Sequence, residues 1–184
     1  MFNIFTLAGV TDTFGRNHLV FIALCFSLII SLSIVIAKKD NITFNKVLNI
    51  MLIVWVISEF LKLISNIEYL VAVPTADGTE YQIFNMLGYK AIEGAKIETA
   101  FYNREHLPFH LGSIQPLFIL VVKFTKNTKL KETILAFIFP TGSIGSVISI
   151  ALGTIGADLA NPQTYEYFFF HTALCLFAIA IITK

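Results

Sequence analysis

The chain has 184 residues, of which 56% are hydrophobic and only 14% are charged, and its formal net charge is +1. A soluble domain typically has about 25% charged residues, so the composition predicts a membrane protein and not a string of soluble domains. The near-neutral charge gives no support for nucleic-acid binding. Cys25 and Cys175 both lie in apolar runs, which argues against a disulfide framework and favours two small buried side chains.

Several apolar runs approach the length of about 20 residues that a bilayer-crossing helix needs. We predict an all-α transmembrane bundle, a single domain over 1–184, with spans at about 18–37, 47–66, 106–124, 133–156 and 165–182. The first run is long and lacks an Ala-x-Ala-like cleavage site, so it is predicted to be a retained span and not a signal peptide. The polar segment 67–105 is predicted to form a structured cap.

Basic residues are unevenly divided between the two ends of the predicted spans. Eight lysines lie in the segments 38–46 and 123–131 and at the C-terminus, and the opposite side holds four basic residues, Arg16, Lys90, Lys96 and Arg104. The side richer in lysine is expected to face the cytosol. We therefore predict a multi-pass protein of the cell membrane with its N-terminus outside, its C-terminus inside and the cap 67–105 external.

Span 2 carries two charged side chains, Glu59 and Lys62, near its predicted outer end. Their i,i+3 spacing places them on one helix face, where they can pair. Ionisable groups inside a membrane are costly and indicate a functional site by default. The spacing leaves two alternatives open: a purely structural ion pair, or a pair that serves a site in which Lys62 binds a lipid phosphate.

The entry to span 3 is unusually polar for a membrane helix. Residues 106–116 read His-Leu-Pro-Phe-His-Leu-Gly-Ser-Ile-Gln-Pro. Pro116 lies inside the helix, so its ring is expected to free the carbonyl of Gly112 and bend that turn. Such a feature is tolerated in a membrane only where it faces protein or water. The sequence predicts a polar pocket at this point, with four candidate site residues: His106, His110, Ser113 and Gln115.

Small residues recur every four positions along span 4, at Thr141, Gly145, Ser149, Gly153 and Ala157. This spacing predicts close packing of one helix face against a neighbour. A lipid-tail groove along the same face is the alternative. The Gly145/Ser149/Gly153 face is also the predicted contact for partner helices or for a homo-oligomer. Pro140 is expected to bend this helix.

All four histidines and the charged pair of span 2 fall in one layer beneath the predicted outer surface. An interfacial position is favoured for His18 and His106, and a site role for His110 and His171. A pair between Cys175 and His171 and a histidine-only metal site are weaker alternatives. No pattern of supporting residues indicates a metal, and no cofactor is predicted.

Four sequence segments, 14–18, 106–114, 139–145 and 167–171, resemble the YwaF-like family of bacterial integral membrane proteins. That family is related to animal membrane acyltransferases that remodel phospholipids through a cysteine nucleophile. The resemblance implies that this protein handles a lipid or acyl group in a polar pocket of the outer leaflet, with membrane lipids as its partners.

Two features depart from the family pattern. Gly112 stands where relatives have a cysteine, so a thioester mechanism at this position is excluded. Relatives continue into further spans, which implies that this is a C-terminally shortened member. If the protein is an enzyme, a lipid acyltransferase or hydrolase, His171 or His110 would be the general base, Glu59 would orient it, and Ser113 would be the nucleophile. The alternative function is non-enzymatic: a small transporter, or a membrane scaffold or assembly partner.

Overall fold

The computed structural model describes residues 15–65, 67–85, 94–102, 111–153 and 162–184. Within these ranges the chain is mostly helical. The helices are α1 (Arg16–Lys38), α2 (Phe44–Ser65), α3 (Leu111–Phe124), α4 (Thr128–Leu152) and α5 (Pro162–Thr183). The strands are β1 (Ile67–Thr75), β2 (Gly78–Asn85) and β3 (Lys96–Tyr102).

Three helices in the described ranges are long and apolar enough to cross a membrane: α1, α4 and the Thr164–Thr183 part of α5. Helix α3 contains a shorter apolar segment, Ile114–Phe124. The chain is therefore a multi-pass membrane protein, which confirms the prediction from composition. The finer prediction of five spans goes beyond these three helices and stays a prediction.

Helix α5 is the centre of the bundle. It packs against α1, α2 and α4, and α3 packs against α2 and α4. In its apolar stretch 61% of the residues are buried, compared with 17% in α1, so α1 lies at the periphery. A large apolar core forms where α2, α3, α4 and α5 meet, with Phe177 and Leu174 at its centre. Cys25 and Cys175 are buried free thiols in a smaller core between α1 and α5, as predicted.

The bounds of α4 differ from the predicted span 133–156 at both ends. The helix begins earlier because Asn127 is its N-cap, and the Asn127 side-chain oxygen accepts a hydrogen bond from the Leu130 N–H at 3.2 Å. It ends at Leu152 because Gly153 adopts a left-handed conformation, with φ of 52°, and its N–H donates to the Ser149 carbonyl at 3.0 Å. Gly153 therefore terminates the helix, and it also packs closely against His18, as predicted for a small residue at this position.

The predicted all-α class requires a second correction, because segment 67–105 contains a small antiparallel sheet with strand order β2-β1-β3. The two-residue turn Ala76-Asp77 joins β1 to β2, and Thr75 pairs with Gly78, whose φ is 137°. An Asp-Gly step between runs rich in β-branched and aromatic residues is a strong hairpin signal. The cap is thus structured, as predicted, but by strands.

Helix α3 contains Pro116, as the sequence indicated, and its described part begins at Leu111. The first residues of the predicted span, 106–110, lie outside the described residues, and so do His106 and His110. The bend and the free carbonyl expected at Gly112 stay predictions.

Candidate functional site

The predicted ion pair on α2 is present in the structure. The Lys62 ammonium nitrogen lies 3.2 Å from Glu59 Oε1, and both side chains are partly buried. The i,i+3 spacing places both groups on one face of α2, near the C-terminal end of the helix. Their proposed functional roles stay predictions.

Glu166 on α5 is a third charged member of this group, and the sequence interpretation missed it. Its Oε1 lies 3.7 Å from the Lys62 ammonium nitrogen, and only 4% of the residue is exposed. The buried Ser58 hydroxyl, on α2, donates a hydrogen bond to the same carboxylate oxygen. An acidic residue within the predicted span 165–182 was an available signal, since buried acids are nearly always paired.

We call Ser58, Glu59, Lys62 and Glu166 the Lys62 cluster. It joins the end of α2 to the first turns of α5. The Lys62 ammonium also lies 5.2 Å from the centre of the Phe170 ring, a cation–π distance. Two carboxylates thus face one ammonium in a partly buried position. This arrangement favours the structural alternative for the pair, and the phosphate-binding role of Lys62 stays a prediction.

Beside the cluster, a groove of about 210 Å³ lies between α2 and α5. Ser58 and Glu166 are part of its lining. Apolar and aromatic side chains form the rest of its walls: Val54, Ile57, Leu61, Tyr165, Phe169 and Phe170. Phe169 and Ile57 are 66% and 54% exposed, so the groove opens on the outer surface of the bundle. In a membrane this surface meets lipid chains. We call this feature the α2–α5 groove.

His171, the predicted general base, lies one helix face away from the cluster. Its Nδ1 is 2.8 Å from the Tyr167 carbonyl in the preceding turn. A carbonyl only accepts, so Nδ1 donates, and Nε2 is the acceptor nitrogen of the neutral ring. Tyr167 in turn donates from its hydroxyl to the Ser149 carbonyl on α4 at 2.9 Å. One residue turns a helix by about 100°, so Glu166 and Phe170 face the Lys62 ammonium of α2 while Tyr167 faces α4.

Gln115, a predicted substrate-binding residue, is 1% exposed and lies within the bundle. A Cβ added at Gly142 of α4 would be 3.3 Å from its Oε1, so the amide fills the space that this glycine leaves. Among the described residues its Oε1 has no hydrogen-bond partner. Ser113 lies in α3, but its side chain is outside the described residues. Gln115 is thus the one predicted span 3 residue whose side chain lies within the described part of the chain, and the site roles predicted for this span stay predictions.

His18 forms a separate contact between α1 and α4. It is 2% exposed, and its Nε2 lies 3.1 Å from the Ile150 carbonyl in the last turn of α4. A Cβ added at Gly153 would lie 2.5 Å from the same nitrogen. The imidazole is thus buried between the first turn of α1 and the last turn of α4, and the interfacial position predicted for His18 stays a prediction.

The small residues of α4 do not all lie on one packed face. The buried positions of the helix are Ile138, Gly142, Ser146 and Ile150, a set offset from the predicted one. A Cβ added at Gly145 would have nothing within 4 Å. The prediction that Gly145 packs inside the bundle is wrong, and this position is open to an external neighbour.

These features define the class: a mostly helical, multi-pass membrane protein with an apolar groove beside a buried charge cluster. Comparison with known proteins adds no narrower identity, since no family model, no curated protein and no solved structure matches the chain.

Proposed function

We propose that the protein binds a lipid through one acyl chain in the α2–α5 groove, with the polar part of the lipid beside the Lys62 cluster. One observation carries the proposal: the groove combines apolar walls open to the membrane with Ser58 and Glu166 in its lining. Ligand sites are typically apolar cavities with a few convergent polar groups. The proposal agrees with the resemblance to the YwaF-like family, which implies handling of a lipid or acyl group.

The cluster also offers a chemical role that the predicted residues did not include. The Ser58 hydroxyl donates to the Glu166 carboxylate, the arrangement in which a carboxylate can accept a proton from a nucleophilic hydroxyl. If the protein is an enzyme, Ser58 is therefore a candidate nucleophile in addition to the predicted Ser113. His171 stays a predicted general base, with Nδ1 held by the Tyr167 carbonyl.

The proposed topology is the one predicted from the lysine distribution. Five spans place the N-terminus and the sheet outside the cell membrane and the C-terminus inside. Under this topology the Lys62 cluster lies near the outer surface, because α2 runs outward from Lys46 to Lys62. The groove would then draw its ligand from the outer leaflet.

Two non-enzymatic functions are the alternative, and a scaffold is better supported than a small transporter. The half of the bundle toward Lys46 and Lys123 is filled by large apolar side chains such as Met51, Ile119 and Phe177. In the described residues this dense core disfavours a path across the membrane. A scaffold is favoured by the open position at Gly145, on the predicted contact face for partner helices or a homo-oligomer.

The experiment uses a phospholipid with a photoactivatable diazirine in its acyl chain, incorporated with the purified protein in nanodiscs. We expect cross-linked peptides from 54–61 and 165–170. Val54→Phe adds bulk to the groove wall and should lower the yield about tenfold, which corresponds to about 1.4 kcal/mol of binding. Val56→Phe is the matched control, because Val56 is 62% exposed and lies outside the groove. Equal labelling of both variants and the wild type would refute the proposal.

A further inference from the structure

The register of the three-stranded sheet determines which residues share each of its two faces. Directly paired residues of antiparallel strands point to the same side of a sheet. Ala72 pairs with Tyr81, Leu70 pairs with Ile83, and Glu68 pairs with Phe101. We call the side that carries these three pairs the aromatic face. The opposite face carries Glu80 and Gln82 on β2, whose side chains hydrogen-bond to each other at 3.2 Å. It also carries apolar residues, since Glu80 and Gln82 pair with the buried Val73 and Val71 of β1.

The aromatic face exposes large apolar side chains that would be more stable if they were covered. Tyr81 and Ile83 are 61% and 60% exposed, and Phe101 is 38% exposed. Large apolar side chains in water cost about 25 cal/mol for each Å² that could be covered. Lys96 pairs with Ala72 at the edge of the same face, and its side chain is 79% exposed. The face therefore combines exposed aromatic and aliphatic side chains with polar ones, among them Glu68 and Thr99. The Lys96 ammonium at its edge also pairs with Glu98 at 3.6 Å.

This face continues a surface that meets lipid. Large apolar side chains with exposures of 52–62% run along one side of α2, at Ile53, Val56, Phe60 and Leu63. In a membrane helix such a stripe faces acyl chains. Helix α2 ends at Ser65 and β1 begins at Ile67, so the sheet is held directly at the end of this stripe. Its position thus corresponds to the boundary between acyl chains and head groups.

We propose that the aromatic face rests on the membrane surface at the end of α2, with Tyr81, Ile83 and Phe101 inserted among the lipid head groups and upper acyl chains. Tyr and other aromatic side chains are enriched at this depth because their apolar bodies and polar edges match it. The Lys96 stem extends along the apolar region while its ammonium reaches the lipid phosphates. The occupant is the lipid surface, and the site is independent of the α2–α5 groove.

The test measures tryptophan fluorescence in proteoliposomes that contain phospholipids brominated at upper acyl positions. The chain has one tryptophan, so a Trp55→Phe background provides a silent reference. Tyr81→Trp and Ile83→Trp report on the aromatic face. Glu80→Trp is the matched control, because Glu80 is exposed and pairs with Val73 on the opposite face.

We expect bromolipid to quench the indoles at positions 81 and 83 several-fold more strongly than the indole at position 80. Equal and weak quenching at all three positions would overturn the proposal and place the sheet in water. A blue-shifted indole emission that bromolipid does not quench would also overturn the proposal. If that emission changes when the protein is diluted with more lipid, the face is covered by a second copy of the chain. If Trp55→Phe lowers stability, nitroxide labels on cysteines at the same positions, read by oxygen accessibility, give the same comparison.

Discussion

Lys62 on α2 and Glu166 on α5 are joined across the bundle, with 3.7 Å between the ammonium nitrogen and carboxylate Oε1. They are more than a hundred positions apart in the chain, so the contact exists only when α2 packs on α5. The carboxylate is almost fully buried, and it also accepts a hydrogen bond from Ser58. Glu166 therefore connects α5 to α2 through two contacts, one with Lys62 and one with Ser58.

We expect Glu166→Ala to lower thermal stability in detergent, with a loss of about 3 kcal/mol, because breaking a buried pair leaves its partners poorly compensated. Glu98→Ala is the surface control. Glu98 pairs with Lys96 at 3.6 Å, but the two side chains are 40% and 79% exposed. An exposed pair of this kind contributes about 0–1 kcal/mol. Equal melting temperatures for the two variants would contradict a packing role for Glu166.

The contact between His18 and Gly153 gives a second prediction. Gly153→Ala should destabilise the bundle by about 1–3 kcal/mol, because the added Cβ would be 2.5 Å from the imidazole and the residue has a φ of 52°. Gly145→Ala should be nearly neutral, since nothing lies within 4 Å of its Cβ position. Thermal unfolding of both variants provides the comparison.

A double change separates the steric cause from the backbone cause. His18→Ala removes the ring that the new methyl group would meet. The combination with Gly153→Ala should therefore recover part of the stability difference between Gly153→Ala and the wild type. No recovery would assign the whole effect to the left-handed backbone at Gly153.

The proposed topology is tested by labelling at the hairpin turn. Asp77 is exposed in the two-residue turn between β1 and β2. An Asp77→Cys variant should react with a membrane-impermeant maleimide in intact cells, because the lysine distribution places this turn outside. Gly78 is a poorer position, since its φ of 137° disfavours other residues. Labelling only after permeabilisation would reverse the predicted orientation.

Hydropathy predicted the helical elements because long apolar runs are a local property of the sequence. The polarity of segment 67–105 predicts a cap but not its strands, although the Asp77-Gly78 step indicates a hairpin. The packed face of α4 was predicted one position away from the observed one. Small residues occur at both Gly142 and Gly145, and only the neighbouring helices decide which one is covered.

The site was predictable only in part for a related reason. The Glu59–Lys62 pair depends on i,i+3 spacing, which the sequence contains directly. The addition of Glu166 depends on which face of α5 meets α2, and no local pattern determines that choice. The same limit applies to His171, since its depth was predictable but its orientation toward Tyr167 was not.

The last prediction concerns the stability of variants that remove the charges of the Lys62 cluster. The Lys62→Met variant leaves two carboxylates without their shared cation, so it should be the most destabilised single variant of the cluster. From the sequence alone, the expected rescue is the double variant Glu59→Gln with Lys62→Met. The structure predicts otherwise, because that variant still leaves Glu166 buried without a cation. Glu166→Gln with Lys62→Met should restore more stability, since Glu166 is 4% exposed and the Glu59 side chain is 30% exposed. Thermal unfolding in detergent measures the order of stability among these variants.

Lipid cross-linking in nanodiscs measures the function of the same variants. If a double variant is stable but no longer cross-links, the charges belong to the lipid site. If it cross-links as fully as the wild type, the charges are structural. Greater rescue by Glu59→Gln than by Glu166→Gln would contradict the assignment of Glu166 as the main partner of Lys62.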